Sequence, residues 1–306
     1  MAESMARSSA DPKASQWQLR TRELTFGPLP VLMGILNVTP DSFSDGGRFF
    51  DVQAAIDQAL RLVDAGAGIL DIGGESTRPY SSPVAADEER RRVIPVIEAL
   101  CEQVEIPISI DTTKAIVARD AIAAGVEIIN DITGLEGDER MVSLAAESGV
   151  GVCAMHMQGT PQTMQDAPVY DDIVADIHQY LAQRRDSLLK SGVDATRICL
   201  DPGIGFGKTH QHNLTLLANC YRFRDLGCPL LVGHSRKGFI GKVLADKEAD
   251  RMAATLGVSI ALALQRIQVL RVHDVAETAH ALKLFAAVGG IDGNPLQLNR
   301  LDPSAG

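Results

Sequence analysis

VLMGILN (residues 31–37) and ILDI (residues 69–72) are two short apolar runs, and DVQAAIDQALRLVDA (residues 51–65) lies between them. The short runs show no polar alternation, which is typical of strands buried on both faces of a parallel sheet. The longer segment places its apolar residues on one side at helical spacing, and Gly66 follows it as a stop signal. The order strand, helix, strand predicts a parallel unit with a helical crossover.

Six further apolar runs of the same kind follow along the chain: Pro107–Asp111, Glu127–Asp131, Val150–His156, Arg197–Asp201, Pro229–Gly233 and Val269–Val272. Helices are predicted between several of them: Ala85–Glu102, Lys114–Ala124, Asp171–Lys190 and Asp250–Arg266. Pro95 should kink the first of these helices or mark a late start. Eight strand–helix repeats fit a closed (β/α)8 TIM barrel or a doubly wound open sheet. The number eight and the length of 306 residues favour the α/β barrel.

The chain is predicted to hold a single domain. Residues 1–16 are small and polar and are expected to form a disordered N-terminal tail. The barrel is expected to occupy residues 17–290, and residues 291–306 are expected to form a C-terminal tail. We find no linker, second domain or low-complexity insert.

Composition argues against two kinds of partner. A net charge of −10 is unfavourable for a nucleic-acid-binding surface. The apolar runs are too short or too interrupted to span a membrane. The start of the chain lacks the pattern of a signal peptide. The five cysteines form no C-x-x-C pair, which suits a reduced cytoplasmic protein.

Polar side chains follow nearly every predicted strand: Asn37, Asp111, Asn130, Asp131, His156, Asp201, His234, Ser235, Arg236, Lys237, Arg271 and His273. In a barrel these positions meet on the rim at the carboxyl ends of the strands, where barrel enzymes place their active sites. Each residue alone has an equally good interpretation as a helix cap. Their joint occurrence favours a site.

The residue types divide into two groups. Asp111, Asn130 and Asp201 offer carboxylate and amide groups that suit a flat heterocycle with N–H donors. Lys237, Arg271 and His273 offer cationic donors that suit phosphate oxygens or a ring carbonyl. The sequence therefore predicts a ligand that combines a heterocycle with a phosphate group.

Two glycine-containing loops complete the predicted rim. TPDSFSDGG (residues 39–47) reads as a loop that could fold over a ligand, with Phe43 covering a surface. DPGIGFGKT (residues 201–209) is one residue too short for a Walker A motif, which argues against ATP. Its glycines would let the backbone approach a flat ligand, with Phe206 as part of the wall.

Seven segments together resemble the dihydropteroate synthase family: GILNVTPDSFSDGG (34–47), DIGGESTRP (71–79), SIDTTK (109–114), IINDITG (128–134), DPGIGFGKT (201–209), GHSRKGFIG (233–241) and RVHDV (271–275). The resemblance implies a (β/α)8 barrel of the folate pathway. Its substrates would be 6-hydroxymethyl-7,8-dihydropterin pyrophosphate and p-aminobenzoate, and its products 7,8-dihydropteroate and pyrophosphate. It also implies Mg2+ on the pyrophosphate and a homodimer.

The resemblance assigns roles to individual residues. The pterin ring would be bound by Asp111, Asn130, Asp201 and Lys237. The pyrophosphate would be held by Asn37, which also faces Mg2+, and by Ser235, Arg271 and His273. The mobile loops would contain Phe43, Thr77, Arg78 and Pro79, and the p-aminobenzoate side would be lined by Phe206 and Lys237. Catalysis would depend on Asp111, Asp45 and Lys237.

One position departs from the family pattern. Many members have serine after the lysine of the Ser-Arg-Lys motif, and this chain has Gly238. The change removes a possible hydroxyl donor to the p-aminobenzoate carboxylate, for which the backbone N–H could substitute. Two alternatives to the synthase remain. One is a pterin-binding barrel of the methyltetrahydrofolate methyltransferase type, and the other is a synthase-like protein that binds a pterin without catalysis.

Overall fold

The structure is a computed structural model that describes residues 14–39, 52–77, 80–246 and 248–291. Within these ranges eight parallel strands form one sheet: β3 (Val31–Asn37), β4 (Ile69–Gly73), β5 (Ile108–Asp111), β6 (Ile128–Asp131), β7 (Gly151–Met155), β8 (Ile198–Asp201), β9 (Leu231–Val232) and β10 (Val269–Val272). They are ordered β8-β7-β6-β5-β4-β3-β10-β9. A parallel bridge between Leu200 and Leu230 brings the two ends of the sheet together. The predicted TIM barrel is confirmed.

Helices surround the barrel between the strands. They are α1 (Val52–Asp64), α2 (Ala86–Cys101), α3 (Ala115–Ala124), α4 (Met141–Ser148), α5 (Ile173–Lys190), α6 (His210–Asn219), α7 (Gly238–Val243), α8 (Met252–Leu264) and α9 (Val275–Ala287). Gly66 and Gly125 follow α1 and α3 with φ of 99° and 119°, as expected for helix stops. None of the described helices is both long and apolar enough to cross a membrane.

Pro95 does not delay the start of α2, which runs through it from Ala86 to Cys101. Proline at this position removes one backbone hydrogen bond to the preceding turn. Pro95 and Arg91 both lie on the exposed side of the helix, where water can hydrate the carbonyl of Arg91. The opposite side stays buried through Val93 and Val96. Of the two predicted effects of Pro95, a kink or a late start, the late start is therefore wrong.

A short hairpin that the sequence analysis missed closes the amino-terminal end of the barrel. It consists of β1 (Gln16–Gln18) and β2 (Glu23–Thr25), which pair antiparallel. Trp17 is fully buried, and its indole N–H donates to the carbonyl of Arg197 at 2.8 Å. The side chains of Trp17 and Leu19 pack against an apolar layer inside the barrel: Met33, Ile69, Ile128, Cys153, Cys199, Leu231 and Val269. We call these seven residues the lower layer.

The hairpin corrects the predicted domain limits. Ala14 is buried and Gln16 belongs to β1, so residues 14–16 are part of the fold and not of a tail. At the other end Ile291 is buried in the core, one residue beyond the predicted limit at 290. Residues 1–13 and 292–306, the rest of the two predicted tails, lie outside the described ranges.

We expect Trp17→Ala to lower the free energy of unfolding by about 3–5 kcal/mol, because it opens a cavity against the lower layer and removes a buried hydrogen bond. Urea denaturation monitored by circular dichroism would measure the change. Gln16→Ala is the matched control, since Gln16 is exposed on the same strand. Equal midpoints for the two variants would contradict a sealing role for the hairpin.

Candidate active site

The site follows from the alternation of side chains along the barrel strands. Residues two positions apart on a strand face the same side. Two positions beyond lower-layer residues of β4, β6, β8 and β10 lie Asp71, Asn130, Asp201 and Arg271. The side chains that face the barrel interior therefore change from apolar to polar or charged over two residues of each strand. The charged layer lies at the carboxyl ends, as predicted for the rim.

Arg271 is the centre of this charged layer. Its Nε donates to Asp71 Oδ2 at 2.5 Å, and its Nη2 donates to Asp111 Oδ2 at 2.7 Å. The Asn130 amide also donates to Asp71 Oδ2, at 3.1 Å. Four polar side chains from four strands therefore form one connected network. The predicted residues Asp111, Asn130 and Arg271 are brought together by it.

Asp71 is the residue of this network that the sequence analysis missed. It lies inside the apolar run of β4 and is fully buried. A usable signal was present, since a buried carboxylate in an otherwise apolar strand needs a cationic or hydrogen-bonding partner. The partner is 200 positions away in sequence, and only the closure of the barrel reveals it.

Asp201 and Lys237 belong to the same pocket as the network around Arg271. Asp201 Oδ1 accepts from the backbone N–H of Gly203 at 2.7 Å. Lys237 Nζ donates to the carbonyl of Ile204 and lies 4.6 Å from the centre of the Phe206 ring. The stem of Lys237 passes so close to Gly205 that a Cβ there would lie 2.9 Å from its Cδ. Lys237 and Phe206, predicted to share one side of the pocket, are therefore in contact.

Burial sets the electrostatics of the pocket. It raises the pKa of Asp111 to about 7 against the opposing effect of Arg271. It also raises the pKa of Asp201, although Lys237 acts in the other direction. Burial lowers the pKa of Lys237 to about 8. Burial would also lower the pKa of Arg271, but Asp71 and Asp111 overcome that effect and raise it, so the guanidinium stays charged.

The residues predicted for pyrophosphate lie at the next strand ends. The Ser235 hydroxyl is 3.3 Å from the backbone nitrogen and 3.1 Å from Nδ1 of His273. Between Ser235 and Lys237 the chain turns at Arg236, which has a φ of 56°. Arg236 is held there by a two-pronged ion pair with Asp274. This turn brings Ser235 and His273 together.

The remaining predicted site residues divide by position. Asn37 is the last residue of β3 and pairs with Gly73, at the carboxyl end of the barrel. Thr77 is half-buried and follows β4 by four residues. The other predicted residues of the two loops lie outside the described ranges: Phe43, Asp45, Arg78 and Pro79.

Three polar strand-end residues serve other purposes. Asp131 Oδ1 accepts from the backbone N–H of Thr133 at 2.7 Å, as a turn cap does. His234 bonds Ser259 at 2.8 Å on α8, and burial lowers its pKa to about 4. His156 bonds Lys208 at 3.0 Å. Side chains at successive positions point to opposite sides of a strand. About half of the polar residues at strand ends should therefore face the surrounding helices and loops and not the barrel interior.

The fold and the pocket define an enzyme of the (β/α)8-barrel class with a buried pocket of carboxylates and cations at the carboxyl ends of its strands. A family model described as pterin binding enzyme matches residues 33–273. Dihydropteroate synthase of Escherichia coli K12 is 45% identical over 258 residues, which cover 84% of this chain and 91% of that protein.

Two solved structures of Xanthomonas albilineans dihydropteroate synthase extend the comparison to the fold. One, with 4-aminobenzoic acid, has a TM-score of 0.83 and 44% identity and covers 90% of this chain and 98% of its own. The other, in complex with 7,8-dihydropteroate, has a TM-score of 0.80 and 42% identity with the same coverage. The chain belongs to the pterin-binding enzymes, in the dihydropteroate synthase family.

We expect Asp71→Asn to lower the free energy of unfolding by about 3 kcal/mol, because it leaves Arg271 buried with one carboxylate fewer. The control is Asp120→Asn, which makes the same chemical change at a surface ion pair with Arg90 and Arg119. That change should cost less than about 1 kcal/mol. Urea denaturation of both variants measures the difference, and similar midpoints would contradict a central role for Asp71.

Proposed function

We propose that this chain condenses 6-hydroxymethyl-7,8-dihydropterin pyrophosphate with p-aminobenzoate to give 7,8-dihydropteroate and pyrophosphate. The observation that carries the proposal is the buried network of Arg271 with Asp71, Asp111 and Asn130, beside Asp201 and Lys237. The Xanthomonas albilineans relatives bound to 4-aminobenzoic acid and to 7,8-dihydropteroate support the choice of ligands.

The pterin ring is assigned to the deep part of the pocket. Asp201 and Asp111 are carboxylates that can accept paired N–H donors from a flat heterocycle. The Asn130 amide offers a further acceptor, and the Lys237 ammonium can donate to a ring nitrogen or carbonyl. Burial makes these interactions stronger than they would be in water.

The pyrophosphate is assigned to the rim beside Ser235, His273 and Arg271, with Asn37 near the metal. The described residues contain no cluster of three His, Cys, Asp or Glu side chains suited to a metal. Mg2+ needs few protein ligands when substrate phosphates supply most of its oxygens, so the Asn37 amide oxygen fits that role. The ion would neutralise charge on the pyrophosphate when bound.

The reaction exchanges one bond for another at the pterin methylene carbon. The C–O bond breaks, and pyrophosphate leaves with the electron pair toward donors that are already in place. The positive charge on the methylene is delocalised into the ring, where the Asp111 carboxylate stabilises it. The neutral aryl amine then attacks, the C–N bond forms, and the amine nitrogen releases one proton. Lys237 orients the ring throughout.

The second substrate is assigned to the side of the pocket with Phe206 and Lys237. Thr77 belongs to this side as well, together with Phe43, Asp45, Arg78 and Pro79 of the two loops outside the described ranges. Gly238 leaves space, because a Cβ there would meet no atom of the described residues within 4 Å. Its backbone N–H is the proposed donor to the p-aminobenzoate carboxylate in place of a serine hydroxyl.

A homodimer formed through α8 is part of the proposal. The outer side of this helix exposes small and apolar residues, among them Ala253, Gly257, Ala261 and Leu264, the last of which is 51% exposed. An apolar helix side of this kind is typical of a subunit interface. A cytoplasmic location also belongs to the proposal, supported by five cysteines that are all free.

The reaction is tested by pyrophosphate release from the pterin pyrophosphate with Mg2+, in the presence and absence of p-aminobenzoate. We expect release that depends on the amine and yields dihydropteroate in equal amount. Asp111→Asn and Arg271→Ala should reduce the rate by about 100-fold or more, because each removes a charge that acts on the transition state. Tight pterin binding without turnover by the wild type would reject the synthase in favour of a non-catalytic binder.

We expect a bell-shaped dependence of kcat/KM for the pterin pyrophosphate on pH, with limbs near 7 and 8. Asp111 must be a carboxylate, so activity falls as the pH drops through its raised pKa. Lys237 must be an ammonium, so activity falls as the pH rises through its lowered pKa.

Lys237→Arg separates these two assignments, because a guanidinium stays charged at all working pH values. Its rate should be lower, but its basic limb should move upward by at least about one pH unit while the acid limb stays. A basic limb that stays near pH 8 in the variant would show that Lys237 does not set it.

A further inference from the structure

Lys208 is a buried lysine that the proposed chemistry does not use. Its side chain is only 2% exposed. The ammonium is 2.8 Å from the carbonyl oxygen of Phe206, 3.0 Å from His156 Nδ1 and 3.3 Å from the carbonyl oxygen of His156. The side chain thus has three acceptors at hydrogen-bond distance, and all three are neutral. Burial disfavours its charged form and lowers the pKa of Lys208 well below the usual value, although Asp201 opposes the effect.

Lys208 directly follows the glycine turn, which we define as residues 203–207. It contains no helix or strand, and Gly203, Gly205 and Gly207 all have positive φ, at 69°, 86° and 62°. Such a segment has wide conformational freedom in isolation. Something outside the segment must therefore fix its shape.

Side chains from elsewhere hold four consecutive carbonyls of the glycine turn. The donors to residues 204, 205, 206 and 207 are, in that order, Lys237, Gln165, Lys208 and Tyr170. Lys208 is the most deeply buried of these donors. It also holds the carbonyl of Phe206, the residue whose ring lies beneath the Lys237 ammonium.

The second residue that Lys208 contacts, His156, is itself held in place. His156 directly follows β7, and its backbone N–H donates to the carbonyl of Asp201 on β8 at 3.0 Å. Its ring lies edge-on to Tyr180, with ring centres 4.8 Å apart. Burial, together with the charge of Lys208, lowers the pKa of His156 to about 3, so the imidazole stays neutral and Nδ1 accepts. Lys208 thus ties Phe206 to two barrel strands.

We propose that Lys208 is a positioning residue for the p-aminobenzoate side of the pocket, acting through Phe206. By holding the Phe206 carbonyl against the end of β7, it fixes the ring that would contact the aryl amine. Three of the four residues assigned to the pterin, Asp111, Asn130 and Asp201, lie on strands and do not need this anchor. The fourth, Lys237, bonds a different carbonyl of the glycine turn, that of Ile204. The inference rests on the proposed function and adds a residue that touches neither substrate.

The test is Lys208→Met in the full-length protein, with initial rates measured over a range of both substrates. We expect the KM for p-aminobenzoate to rise about tenfold, equivalent to about 1.4 kcal/mol. The KM for the pterin pyrophosphate should stay within about twofold, because its strand-borne residues keep their places. Lys190→Met is the matched control, since Lys190 is exposed at the end of α5 and should change neither value.

A double-mutant cycle with Phe206→Ala identifies the route of the effect. If Lys208 acts through the Phe206 ring, adding Lys208→Met to Phe206→Ala should cause little further increase in the KM for p-aminobenzoate. An additive increase would overturn the proposal, as would an equal rise in both KM values. A general structural role would produce that second pattern.

If Lys208→Met does not fold, the same KM measurements are made on Lys208→Gln. Glutamine keeps an N–H donor but is too short to reach both Phe206 and His156, so we expect a rise of about threefold in the KM for p-aminobenzoate. An unchanged KM would overturn the proposal. Wild-type turnover is measured in the same series: its absence rejects the proposed function, whereas normal turnover with unchanged KM values in the variants rejects only the role of Lys208.

Discussion

The ion pairs of Arg271 with Asp71 and Asp111 join strands that are two and three places away from β10 in the barrel. These pairs can exist only if the strands close into a ring with one register, because a shift of one residue would turn the charges toward the helices. Desolvating such charges costs free energy that their mutual attraction does not always recover. The pairs keep buried charges fixed in place, which is the property that the proposed function requires of them.

The lower layer and the hairpin make that arrangement possible. Within the described residues, Trp17 and Leu19 pack at the amino-terminal end over seven apolar side chains, which lie beneath the charged layer. Burial moves the pKa of Asp111 upward and that of Lys237 downward.

The sequence predicted the strands to within two residues, because strands covered on both faces are continuous apolar runs. It also predicted the polar ends that meet at Arg271 and Lys237. It missed β1 and β2, which are only three residues each and carry too few side chains for a periodic signal. It selected Asn130 and not Asp131 beside it, and in the structure Asn130 bonds Asp71 whereas Asp131 caps a turn. The partners of Asp71 stayed hidden, because they depend on the register of the closed barrel.

Burial acts on both Lys208 and Lys237, but the two lysines have different roles. Burial lowers the pKa of both and Asp201 opposes the effect in both, but Asp111 also raises the pKa of Lys237, which is about 8. Such a group can be charged in the free pocket and still respond to a ligand. Lys208 meets neutral carbonyls and an imidazole at hydrogen-bond distance, so its contacts favour fixed geometry over charge. Both lysines end on the same glycine turn, one from within the pocket and one from behind it. The glycine turn has no helix or strand, and these contacts fix its backbone on the side that faces the pocket.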